Sequence, residues 1–85
     1  MGSIMQTPWK KPVLVALEEP GVYVSIESTQ AASWALIEDW PEEDGEKLDR
    51  ALLVFAAVDA GKKKPEDARQ AFIEAAIEAG LDVKS

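Results

Sequence analysis

The chain has 85 residues, 47% hydrophobic, 29% charged and 7% aromatic, a composition of one small globular domain and not of a disordered or membrane-spanning chain. Nine basic residues against sixteen acidic ones give a formal charge of −7, which opposes binding to a phosphate backbone. With no Cys and no His, disulfides, thiolate zinc sites, thiol nucleophiles, imidazole bases and a Ser-His-Asp triad are all excluded.

Residues 1–11 read as a flexible, polar arm with Trp9 as its anchor, and residues 12–85 as a single domain. Met1-Gly2-Ser3 reads equally as a cloning remnant, with Met5 the natural start, or as native sequence. Gln6 stands where a myristoylation signal needs Ser or Thr. No apolar run resembles a secretory signal or approaches the roughly 18 residues that span a bilayer, so a cytoplasmic protein without membrane contact is expected.

Val13-Leu14-Val15-Ala16-Leu17 and Val22-Tyr23-Val24-Ser25-Ile26-Glu27 read as two strands around the turn Glu18-Glu19-Pro20-Gly21. That turn pairs Leu17 with Val22, Val15 with Val24 and Val13 with Ile26, all on one core face. Leu14, Ala16, Tyr23 and Ser25 fall on the other. Ser28 or Thr29 caps a first helix running to about Asp39, with Ala32, Ala35, Leu36 and Trp40 in its stripe and Trp34 and Ile37 beside it. Pro41 ends it.

A second helix covers about residues 46–60. Leu48, Ala51, Leu52, Phe55 and Val58 keep helical spacing, yet residues 51–58 are apolar without a break. Leu53, Val54 and Ala57 therefore lie off the stripe. Glu43→Lys47 and Glu46→Arg50 are favourable i,i+4 pairs at its start. Gly61 suits the position after its end. Pro65, Glu66 and Asp67 suit the start of a third helix, with Ala68, Phe72, Ala75, Ala76 and Ala79 in its stripe, Ile73 and Ile77 alongside, Gly80 closing it and Leu81 folding back. Leu81-Asp82-Val83 is a candidate third strand. The fold class is α+β: an N-terminal hairpin packed against three helices.

Trp40-Pro41, Gly45, Gly61, Pro65 and the run from Ala68 to Gly80, of the form AR-x-AF-x-x-A-A-x-x-A-G, together resemble the bacterial family called domain of unknown function 982. The resemblance covers roughly Trp9 to Val83. It implies a small, mostly stand-alone cytoplasmic protein of the alphaproteobacteria with no established activity, cofactor or partner, and so it carries over no catalytic residue. The chain departs from the family's pattern at Lys64, where members tend to have Ser, and in an aliphatic middle helix, where members often have Cys.

Glu38, Asp39, Glu42, Glu43, Asp44 and Glu46 form an acidic cluster, but an EF-hand aligned on Gly45 would place Trp40 and Ala51 at its first and last ligand positions. No metal or other cofactor is expected; the cluster reads as a solvated loop near a helix N-terminus. Lys62, Lys63 and Lys64 read as cations at a helix C-terminus rather than a phosphate site. The acids Glu66, Asp67, Glu74 and Glu78 of the following helix oppose DNA, so no nucleic acid is expected. Ser25, Ser28 and Ser33 have no evident base. Arg69 is the candidate ligand contact, with an internal ion pair to Glu66 or the first acidic loop as the bland alternative. Trp40 is a candidate interaction anchor or a lid on the core.

The resulting expectation is a non-catalytic protein acting through a protein partner or through a second copy of itself. Leu14, Tyr23, Trp40, Leu53, Val54 and Ala57 are its candidate surface, because 85 residues bury a limited share of their apolar area. The alternative is a small-ligand module, or an enzyme without His or Cys, using acids with Arg69.

Overall fold

A computed structural model describes residues 9–41 and 44–85. In chain order these hold β1 (Val13–Val15), β2 (Val24–Ile26), α1 (Thr29–Trp34), which runs directly into a π-helical segment (Ala35–Asp39), α2 (Glu46–Asp59), α3 (Pro65–Glu78) and β3 (Val83–Lys84). The expected α+β class holds, and a C-terminal third strand is present, at Val83–Lys84 where the candidate was residues 81–83. The sheet order is β2-β1-β3, antiparallel throughout.

Val13 pairs with Ile26 and Val15 with Val24, as the alternation of the sequence requires. Val13, Val15 and Ile26 are buried. The strands are shorter than expected, however. They stop at Val15 and begin again at Val24, so the expected Leu17–Val22 pair lies outside them. The tip closes as a turn, with the Val22 amide donating to the Glu19 carbonyl at 3.2 Å. Val22 and Val24 are exposed although they were assigned to the core face. β2 is an edge strand of the sheet.

Ser28 caps α1, its Oγ accepting from the Ala31 amide at 3.1 Å. The helix then widens into a π-turn over Ala35–Asp39, where a plain α-helix was expected. Trp40 follows in extended conformation, as the residue before Pro41 must. Ala32, Ala35 and Leu36 are buried, whereas Trp34 and Ile37 point to solvent.

α2 and α3 make the most extensive packing in the molecule. Both end in the same way. Gly61 and Gly80 adopt φ of 78°, a conformation costly for side chains with a Cβ. The residue after each then donates back into the last turn: Lys62 to Ala57 at 2.8 Å and Leu81 to Ala76 at 3.0 Å. Ala51, Ala68, Ala75 and Ala76 are fully enclosed, which lets the two backbones approach closely. Phe72 fills the centre. The rings of Trp9 and Trp40 lie on it, with centroids at 6.0 and 5.5 Å and tilts of 52° and 54°. Trp9 anchors the chain end as expected. Its amide donates to the Glu27 carbonyl at 2.7 Å and its indole N–H to Thr29 Oγ1 at 3.2 Å.

The stripe of α2 is rotated from the expected one. Val54 is buried and Leu52 is exposed. Lys47 marks the row that meets α3: its ammonium lies 3.7 Å from the Glu74 carboxylate. Val54, two turns on from Lys47, shares the row that faces α3, while Leu52 lies on the opposite side. Lys47 thus pairs across helices; the expected partner Glu43 falls outside the described residues.

The first turn of α2 is capped from a distance. Gly45 offers no side chain, and the Glu78 carboxylate of α3 accepts from the Lys47 amide at 3.1 Å and the Leu48 amide at 3.3 Å. A Cβ at Gly45 would stand 2.5 Å from Glu78 Oε1, so a side chain there would displace the capping carboxylate.

Candidate functional site

The expected interaction residues do not form one surface. Val54 belongs to the core and is withdrawn from it. Trp40 is half-buried on Phe72, so it closes the core instead of standing free. Leu14 and Tyr23 lie on the outer face of the sheet, and both are half-covered. Tyr23 reaches across β1. Its hydroxyl donates to Asp82 Oδ2 at 2.5 Å, and Lys84 Nζ stands 4.5 Å from its ring centroid. The hydrogen bond to Asp82, followed by desolvation and the Asp82 charge, raises the Tyr23 pKa above its ordinary value. Ala16, expected on that outer face, is buried, and its amide donates to the Asp82 carbonyl at 3.0 Å. That face is therefore tied together by its own polar groups. Leu53 is 72% exposed and Ala57 half-buried, so these two remain.

The residues missing from the expected surface are Trp34, Ile37, Leu52 and Ala56. Trp34 is 54% and Ile37 71% exposed. With Gln30, Ser33 and Asp59 they line a hollow of about 170 Å³ between α1 and the end of α2. Leu52, Ala56 and Asp59 follow i, i+4, i+7 spacing and so share one face of α2. The apolar strip therefore runs on from the hollow along α2. Leu52 and Leu53 stand on either side of a line of exposed small residues, Ala56 and Ala60. The sequence held a signal for this: an eight-residue apolar run in a helix exceeds what one buried stripe can take up.

Arg69 lies near the connected end of the α2–α3 pair, in the second turn of α3, and among the described residues it makes neither of its expected ion pairs. Its Nε donates to the Lys11 carbonyl at 2.9 Å. It lines an open groove of about 490 Å³ with Trp9, Lys10, Lys11, Lys64, Pro65 and Glu66. Among the described residues, no three acids converge as a metal site would require, and no helix is long and apolar enough to cross a membrane. Glu42 and Glu43 of the acidic cluster lie outside the described residues.

The family model described as a protein of unknown function (DUF982) matches residues 11–83. No curated protein and no solved structure matches the chain.

Proposed function

Because the chain belongs to a family whose own function is unknown (DUF982), its surface has to supply the reading, and we propose that it is a non-catalytic cytoplasmic protein that works through protein contact, the first occupant of its α1–α2 face being a second copy of itself. One observation carries this. Four large apolar side chains, Trp34, Ile37, Leu52 and Leu53, are exposed on two adjacent helices of a small chain. Each large apolar side chain left in water forgoes about 1.5–3 kcal/mol of burial. Ala56 and Ala60, between the leucines, let a second helix approach closely. A two-fold arrangement makes one such face complementary to itself.

Charge opposes the pairing, since each copy brings −7. Self-association is therefore expected to strengthen with salt, which screens the repulsion and leaves the apolar contact intact. Sedimentation velocity tests this. The wild type is expected to sediment as a dimer at about 0.1 mM, and Leu53→Asp and Ile37→Asp as monomers with unchanged circular dichroism. A wild-type monomer up to about 1 mM at high salt overturns the self-association reading.

A further inference from the structure

The basic residues are distributed very unevenly. Six of the nine, Lys10, Lys11, Lys62, Lys63, Lys64 and Arg69, fall in the chain end, the α2–α3 connection and the second turn of α3. Four of these line the 490 Å³ groove against one carboxylate, Glu66. The groove lining thus carries +3 on a chain whose net charge is −7, and everything else carries −10. Like charges gathered this closely repel, and an anion between them relieves the repulsion.

We propose that this groove is a binding site for a small oxyanion, a phosphate- or carboxylate-bearing molecule held by the guanidinium of Arg69 between Lys10, Lys11 and Lys64. Arg69 is half-buried and oriented in advance, because its Nε is committed to the Lys11 carbonyl. Its two Nη groups make no ion pair or hydrogen bond among the described residues. They present the planar fork that matches an oxyanion. The nearby acid Asp67 makes no ion pair with a groove cation among the described residues. Its Oδ2 accepts from the Lys64 amide at 3.0 Å, as a cap of α3. The positive end of that 14-residue helix lies at the same place. The volume suits a small molecule. A nucleic-acid duplex is disfavoured, because its phosphates would run beyond the groove onto a surface carrying −10.

The test is a titration of the full chain with pyrophosphate in one arm and citrate in the other, at constant ionic strength, followed by amide chemical shifts. Saturable shifts are expected at residues 10, 11, 64 and 66–69, in the arm whose oxyanion is the right one. Arg69→Gln is expected to weaken binding about tenfold, the loss of a charge-assisted hydrogen bond. That change also releases Lys11, so Lys64→Ser is the second variant: it leaves the Arg69–Lys11 contact in place and is expected to weaken binding about threefold. Binding is expected to be unaltered in Leu53→Asp, which separates this site from the α1–α2 face. No saturable shift in either arm, or affinities indifferent to both groove variants, overturns the proposal.

Discussion

The two sides of α2 are almost equally apolar in sequence and opposite in fate. Leu48, Ala51, Val54 and Phe55 are buried against α1 and α3, while Leu52, Leu53 and Ala56, interleaved among them, face solvent. Hydrophobicity alone does not say which side of such a helix becomes core. The neighbours decide, and here Lys47 and Glu78 show which row α3 takes. The remaining apolar face is then the part of the helix that folding leaves unused, and it is the part that the proposed self-association would bury.

Truncation separates the two sides most sharply. Phe72→Ala and Phe55→Ala are expected to cost about 3–5 kcal/mol in urea unfolding of dilute protein, a large share of the roughly 4–13 kcal/mol that a chain of this length possesses. Leu53→Ala is expected to stay within about 0.5 kcal/mol. If Leu53→Ala costs as much as Phe55→Ala, the contrast between the faces is wrong. Overfilling should give the next largest difference. Ala75 is fully enclosed, and Ala75→Leu is expected to cost about 1–3 kcal/mol, whereas exposed Ala60→Leu should leave the thermal midpoint of dilute protein nearly unchanged.

The cap across the helical pair sharpens the comparison further. Glu78→Ala removes the acceptor of the Lys47 and Leu48 amides and is expected to cost about 1 kcal/mol. Gly45→Ala displaces the same carboxylate and should cost a similar amount. The double variant is expected to cost less than the sum, because one interaction is lost twice. Additive losses would show that the cap does not form.

The smallest effect concerns the sheet's outer face. Tyr23 is the chain's one tyrosine, so its ionisation can be followed by absorbance. Its pKa is raised above 10.0 by the hydrogen bond to Asp82. The contribution of that bond to stability is therefore fully present below pH 10 and is lost as the pH rises through the folded-state value. Asp82→Asn is expected to bring the absorbance midpoint back towards 10. An unmoved midpoint would mean that Tyr23 does not hold β3.

Much of the fold was legible from short-range pattern. The hairpin register, the Ser28 cap, the glycine endings of α2 and α3 and the helix limits all depend on residues within a few positions of one another. The candidate sites were legible only in part. Leu53 and Arg69 were singled out, and Trp40 stood open between anchor and lid; it is a lid because its ring finds Phe72, 32 positions later, while Trp34, beside the helix stripe, is the exposed ring. Val24 has the alternation of a core residue yet is exposed, while Ile26 on the same strand and face is buried, a difference that a period of two cannot report.

The sequence by itself determined the fold class, most of the elements and the exclusion of the chemistry that Cys and His would have supplied. It did so because composition and helical or strand periodicity act locally. Only the tertiary structure decided which apolar face of α2 stays in water, that Glu78 caps a helix 31 residues earlier, and that Arg69 binds Lys11, 58 residues away, to bring four cations around one groove. Those outcomes depend on how whole elements dock, and docking is settled by shape and by paired polar groups across distances that no local pattern records.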